Sequence, residues 1–416
     1  MLATKLNGSS IKEVELMLCC ARTRSTPQMR VRVRELATQA VDWQAFLQLV
    51  ASHGVRPLVY ETLHSSCWEA LPETIRHELA HFYSANSAKN RFLTGELLRM
   101  LQLFEDENIL AVPFKGPVLA AVLYGTLALR EFVDLDILVR EQDIPKARQI
   151  LAKHGYQSNV KSANITPDTS NDEHYSPSTG TMVELHWQFS PRRFISVLPA
   201  QQVWKNIESI EILGQQLWSF SSQDTFLFLA AHGAKHSWSA LKWLCDLAEF
   251  IRSNPELDWS LLFRRAEALG AVRTCRLGIY LAAELLQAEL PSNVLDAVGG
   301  DAQVRRLAQE VWPRIEAPRD VDPIDGQIFN LKMKERLRDR VRYVFLQCTQ
   351  YSGEEERFLS LPSTLSFVYV FVRPIWLLRR YGFPVLKRIA LGEPGASQQR
   401  VSQAEFLARD SRFRQE

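Results

Sequence analysis

The chain has 416 residues, 46% of them hydrophobic and 10% aromatic, which is enough for packed cores and for two or three domains. Its 49 basic residues nearly balance 47 acidic ones, and the net charge of +2 excludes a global attraction to nucleic acid or anionic lipid, so any basic patch is local. Cys19, Cys20, Cys67, Cys245, Cys275 and Cys348 show neither CxxC nor Cys/His ligand spacing, which argues against structural zinc and a disulfide framework and for a reducing, cytoplasmic setting.

The opening MLATKLNGSSIKEVELM lacks the basic start, apolar run and small-residue cleavage site of a secretory signal, and no apolar run approaches the roughly 18 residues of a spanning helix. From about residue 10 to 110 the apolar residues recur at three and four (Trp43, Phe46, Leu47, Val50; Leu93, Leu97, Leu98, Leu101, Phe104), which predicts helices. His77 and His81 within this region are expected on an ordinary helix surface. Residues 109–114 read as a short strand that Lys115-Gly116-Pro117 breaks, with Pro117 in the first turn of a helix over 118–124. A second strand follows in LREFVDLDILVR, residues 129–140. Asp143 is placed to cap a helix reaching His154, with Gly155 closing it.

Residues 157–180 are polar and turn-rich, a hairpin arm or loop leading into a strand over 181–187. Helical periodicity returns at about 221 and continues to about 350. The expected fold is therefore α+β, a small mixed β-sheet core flanked by helical regions. Its divisions are an N-terminal helical region (1–105), an α/β core (106–220), a helical domain (221–350), and a basic-hydrophobic segment with a polar tail (351–416).

Strand alternation sets Val133, Leu135, Ile137 and Val139 on one face and Asp134 and Asp136 on the other. Two carboxylates on one face repel unless something positive lies between them, and a divalent cation that prefers oxygen ligands fills that role. In the next strand Met182, Glu184 and His186 share a face, which makes Glu184 the third carboxylate. Such a set can hold one or two Mg²⁺ (or Mn²⁺) ions against a triphosphate. A strand ending in Lys115-Gly116 and opening into a helix offers N–H groups and a partial positive charge to an anion. Arg130 is placed to reach a phosphate or brace the clamp. The bland reading is a solvated sheet edge.

Taken together, FKGPVLAAVLYG, LREFVDLDILVR, AKHGY and VELHW resemble, in order and spacing, the bacterial uncharacterised nucleotidyltransferase family within the polymerase-β-like nucleotidyltransferase superfamily. The resemblance is close over roughly residues 110–190 and looser in the helical flanks. It implies metal binding at Asp134 and Asp136, Glu184 as third ligand or as base toward an acceptor hydroxyl, and Gly116 close to the triphosphate. The wider superfamily has Gly-Gly or Gly-Ser at this turn, whereas here Gly116 precedes Pro117, which donates nothing.

Helical spacing through QDTFLFLAAHGAKHSWSALKWLCDLAEFIR puts His232, His236, Trp243 and Asp246 on one stripe bordered by Lys235. HxxxH supplies two ligands with no HExxH glutamate, so zinc is not expected. The stripe is either a buried polar seam or the wall opposite the carboxylates, where His232, Lys235 and His236 bind nucleotide. The family resemblance favours the wall. Residues 332–342 read as a solvated helix face. Residues 365–388 set aromatic and aliphatic side chains beside Arg373, Arg379, Arg380, Lys387 and Arg388, as a helix packed with its arginines outside, a weak membrane-surface contact, or a face for a phosphate-rich partner such as RNA.

The functional expectation is transfer of an NMP unit from an NTP to a hydroxyl of a protein, small molecule, sugar or RNA, with pyrophosphate leaving. A DxD glycosyltransferase using a nucleotide sugar would show more βα units before the DxD. An inactive nucleotide-binding scaffold would not need all three carboxylates.

Overall fold

A computed structural model describes residues 11–158, 172–177, 181–189, 198–318, 321–349 and 368–382. Five helices come first: α1 (Ile11–Cys20), α2 (Pro27–Ala37), α3 (Trp43–His53), α4 (Arg56–Cys67) and the long α5 (Glu73–Asp106). Thr26 and Asp42 start α2 and α3 by accepting hydrogen bonds from Met29 and Ala45 N–H. His77 is an exposed residue of α5.

Next come β1 (Val112–Pro113), α6 (Gly116–Tyr124), β2 (Asp134–Leu138), α7 (Ile144–Lys153), β3 (Tyr156–Ser158), β4 (Asp172–Pro177) and β5 (Met182–His186). These strands form one mixed sheet in the order β1-β2-β5-β4-β3. The pairing of β2 with β5 is parallel, and the other pairings are antiparallel. Leu135, Ile137 and Val139 join Val183, Leu185 and Trp187 in an apolar cluster with Leu97, Met100 and Phe104 of α5 and Ala147 and Leu151 of α7. The expected Val133 is not part of it: the strand begins one residue later, and Val133 is 64% exposed. Asp143 and Gly155 bound α7 as expected, although the Asp143 side chain makes no capping bond.

A short helix α8 (Ala200–Val203) and a hairpin of β6 (Glu208–Ile212) and β7 (Gln215–Ser219) lead to α9 (Ser222–Lys235) and α10 (Leu241–Ser253). Then follow α11 (Trp259–Leu269), α12 (Val272–Leu286), α13 (Ser292–Gly299), α14 (Ala302–Glu316), α15 (Pro323–Met333), α16 (Leu337–Thr349) and α17 (Tyr369–Leu377). The stretch expected as one helix over 223–252 is two. The break lies at Ser237 and Trp238, both in the left-handed region with φ of 54° and 52°. Burial of the Trp238 ring drives it: a side chain on Gly233 would overlap the ring, so glycine there lets the indole fold back against α9.

The N-terminal helices and the later helices share one apolar cluster, from Leu16 and Phe46 to Leu244, Leu281 and Ile315. His53, fully buried at the end of α3, ties this junction. Its Nε2 lies 2.9 Å from Ile315 O, and its Nδ1 accepts from Leu241 N–H at 3.0 Å. That pattern fits one neutral tautomer, with Nε2–H as the donor.

At the far end, α17 packs on α16 through Tyr369, Arg373 and Trp376. Arg373 is therefore inside, not outside, because its Nε donates to Gln347 O at 2.7 Å. The outward faces carry Leu337, Val341, Val344 and Phe345 on α16 and Phe371, Ile375 and Leu378 from α17 onward. Lys387 and Arg388 lie outside the described residues. Among the described residues no helix is long and apolar enough to cross a membrane.

Burial lowers the His53 pKa from 6.5 to about 4, against the opposing bond to Ile315. The unfolded chain then binds the extra proton between pH 6.5 and 4, so the His53 contribution is fully present above 6.5 and is lost as pH falls through that window. The loss amounts to about 3 kcal/mol at the acid end. Urea unfolding between pH 7 and 5 should show stability falling, with the His53 imidazole still neutral at pH 5 by NMR. A flat profile would contradict the clasp.

Candidate active site

The parallel register of β2 and β5 sets Asp136 opposite Glu184 and Leu138 opposite His186. With the apolar alternates in the core, Asp134, Asp136, Glu184 and His186 occupy the other face. Ligand atoms of Asp136, Glu184 and His186 all lie within 4.8 Å of one another. Asp134 is on the same face, half-buried at the head of β2, but is not one of these three. Burial, and then the charges of Asp136 and Glu184, raise its carboxyl pKa.

Lys115 turns inward. Its Nζ donates to Asp136 Oδ1 and stands 3.9 Å from Glu184 Oε2. His186 Nε2 lies 3.1 Å from Asp136 Oδ1 and 3.3 Å from Glu184 Oε2. Burial alone would push the Asp136 carboxyl up; Lys115 and His186 overcome it and hold the group well below the usual carboxylate range. The same pairing raises Lys115 and His186 against burial. Lys115, expected on the phosphate side, here contacts the carboxylate pair.

Gly116 opens α6 with φ of 42°, and a Cβ there would stand 3.2 Å from Asp134 O. The turn needs glycine for its left-handed backbone and for the close approach of β2. Residues 127–131 ahead of β2 are held by helices. Asn90 Nδ2 donates to Leu127 O at 2.6 Å and to Arg130 O at 2.8 Å, and Asn86 Nδ2 donates to Ala128 O at 3.0 Å. Arg56 of α4 clamps Glu131 at 2.7 Å. Arg130 pairs two-pronged with Asp246 of α10, at 2.8 and 2.9 Å, and Tyr124 O–H donates to the same carboxylate at 2.7 Å. Arg130 thus braces the segment entering β2 through Asp246, which leaves the histidine stripe to meet it.

The stripe itself forms an aromatic column. Phe114 contacts His186 at 5.0 Å and Phe228 at 5.2 Å. Phe228 stacks on His232 at 5.5 Å, and His236 stacks on Trp243 at 4.6 Å. The wall thus adjoins the carboxylate face. Burial, and then Lys115, His236 and Lys235, push His232 well below its ordinary pKa. Burial, Lys235 and Lys115 lower His236 to about 3. Both imidazoles are neutral at pH 7, so positive charge on this wall comes from Lys235 and Lys242, not from the histidines.

The residues present fit a divalent cation. Asp136 Oδ2 and His186 Nδ1 are buried with no hydrogen-bond partner among the described residues, and an unanswered polar atom of that kind costs about 1–3 kcal/mol. Two carboxylates and an imidazole are a suitable donor set. Sequence reasoning put His186 on the right face but passed it over as a ligand. It missed Asp172 and His174 of β4, which form a second group with Glu184. Their period-two spacing was the available signal, hidden in a turn-rich stretch.

Removing one side of the buried Arg130–Asp246 pair leaves an uncompensated charge. Asp246→Ala should lose about 3–5 kcal/mol in urea unfolding. Arg130→Ala should lose a comparable amount, and the double variant should lose less than the sum. Full additivity would remove the bracing role.

A family model described as "Uncharacterised nucleotidyltransferase" matches residues 39–287, more than half of the chain. The match runs from just before α3 to the end of α12 and takes in the sheet, the Lys115-Gly116 turn and the histidine wall. No curated protein and no solved structure matches the sequence. A match of that extent, around a mixed α+β fold whose sheet carries a candidate metal-ligand cluster, makes the chain a member of the uncharacterised nucleotidyltransferase family.

Proposed function

We propose that the protein is a metal-dependent nucleotidyltransferase with a polymerase-β-like core, moving an NMP unit from an NTP to a hydroxyl acceptor with pyrophosphate leaving. The observation that carries this reading is the register of β2 and β5, which confronts Asp136 with Glu184 beside the turn that opens α6. Asp136, Glu184 and His186 would hold Mg²⁺ or Mn²⁺, with Asp134 on the same face completing the set. When bound, the cation neutralises triphosphate charge and makes an acceptor hydroxyl more acidic.

The chain's own groups have distinct tasks in this reading. Lys115 balances the carboxylate pair, and its Nζ would add positive charge beside a bound triphosphate. At the start of α6 the Gly116 N–H would face the anion, while Pro117 has no N–H and Val118 N–H donates to Lys115 O. Neutral His232 and His236 supply a flat hydrogen-bonding and stacking wall for the base, and Lys235 adds charge beside it. Arg130 holds the entry to β2 in place through Asp246. All six cysteines are free, which supports a reducing, cytoplasmic setting. The acceptor class, whether protein, small molecule, sugar or RNA, is left to the assay.

With labelled NTPs, Mg²⁺ or Mn²⁺ and lysate, the protein should transfer label and release pyrophosphate. Asp136→Asn, with its folding checked by circular dichroism, should lower transfer by at least about 100-fold. The combined Asp134→Ala and Asp136→Ala variant should be inactive. A wild-type protein that neither binds NTP with metal nor releases pyrophosphate would end the enzyme reading.

A membrane-surface contact through residues 365–388 has support from the apolar faces of α16 and α17, where Leu337 is 74% and Phe371 70% exposed. Arg338 and Arg342 line the same hollow as Leu337, Val341 and Phe345, a combination that suits anionic lipid. The protein should sediment with phosphatidylserine-containing vesicles and less with neutral ones. Phe345→Ser with Phe371→Ser should abolish that. Equal failure on both vesicle types would overturn the contact.

A further inference from the structure

β4 runs antiparallel to β5 on the side away from β2, with His174 opposite Glu184 and Asp172 opposite His186. Cross-strand partners share a face, so Asp172 and His174 extend the polar face that already carries Asp136, Glu184 and His186. Ligand atoms of Asp172, His174 and Glu184 also lie within 4.8 Å of one another. Glu184 is common to both groups, and its two oxygens divide between them. Oε2 is 3.3 Å from His186 and 3.9 Å from Lys115, whereas Oε1 is 3.6 Å from His174. That is the disposition of a bridging carboxylate.

A second observation points into the same place. The His186 ring is buried, its Nδ1 has no hydrogen-bond partner among the described residues, and that nitrogen faces Asp172 Oδ2 at 3.7 Å. His186 therefore stands between the two groups, with one nitrogen toward each. Lys115, the cation of the first group, bonds Asp136 and not the β4 side.

We propose that Asp172, His174 and Glu184 form a second divalent-cation position, bridged through Glu184 to the one at Asp136. An imidazole with two carboxylates, all three partly exposed, favours a first-row transition ion such as Mn²⁺ over Mg²⁺. The inference rests on the reading of Asp136 and Glu184 as cation ligands, and it adds a strand that the DxD pattern does not contain.

Mn²⁺ binding to the full chain, followed by equilibrium dialysis and electron paramagnetic resonance without nucleotide, tests it. Wild type should bind two ions per chain, with a spin-coupled signal at the second equivalent. His174→Ala and Asp172→Asn should each bind one ion and lose the coupled signal. The His174 side chain is 42% exposed, so its removal should leave the thermal midpoint nearly unchanged. Asp136→Asn should lose the other ion. A tenfold excess of Mg²⁺ should leave the β4 ion in place. One ion in wild type, insensitive to His174→Ala, would overturn the second position while leaving the first intact. No bound ion would overturn both.

Discussion

The parallel pairing of β2 with β5 constrains everything at the polar face. It aligns Asp136 with Glu184, and two like charges about 4 Å apart repel by about 4 kcal/mol at an effective dielectric constant of about 20. The pairing therefore requires positive charge between the carboxylates, which Lys115 and His186 supply. The register has no freedom to relieve the repulsion. A slip of one residue would carry Leu135, Ile137, Val183 and Leu185 out of the apolar cluster and the carboxylates into it. The site is thus held in its unfavourable electrostatic arrangement by the packing behind it.

The helices are part of this arrangement, not attachments to it. Asn86 and Asn90 of α5, Arg56 of α4 and Asp246 of α10 all bind the short segment that delivers the chain into β2. His53 ties α3 to the start of α10 and the end of α14, and the common apolar cluster keeps α9 facing the sheet. Phe114, next to Lys115, joins the sheet to the column of Phe228, His232, His236 and Trp243. These contacts, from buried Phe114 and Phe228 to half-buried His232, His236 and Trp243, set the separation between the wall and the carboxylates.

Much of the architecture was legible because its causes are local. Helix periods in α3 and α5, the Lys115-Gly116-Pro117 turn, the bounds of α7 and the alternation in β2 and β5 depend on near neighbours. The break after α9 was not legible, since the stretch continues in helical register. What stops it is the Trp238 ring lodging against Gly233 of α9 and Gly278 of α12. The residues of β4 were hidden for a related reason: a polar, turn-rich stretch becomes a strand only when β3 and β5 pair with it. Arg373 was expected outside because charged residues usually are, and its bond to the Gln347 carbonyl on the neighbouring helix reversed that.

By itself the sequence determined that Asp134 and Asp136 share a face, that Glu184 and His186 share another strand's face, and that a glycine turn precedes them. A period of two and the stereochemistry of glycine are properties of the chain alone. It also carried enough of the family pattern to be identified by it. Only the tertiary structure decided which groups meet. It turned Lys115 onto Asp136, withdrew Asp246 from the histidine stripe to Arg130, and left His232 and His236 uncharged. It brought His186, Asp172 and His174 to Glu184. Pairings and burial depend on residues distant in the chain, and for ionisable groups they outweigh what the residue type prescribes.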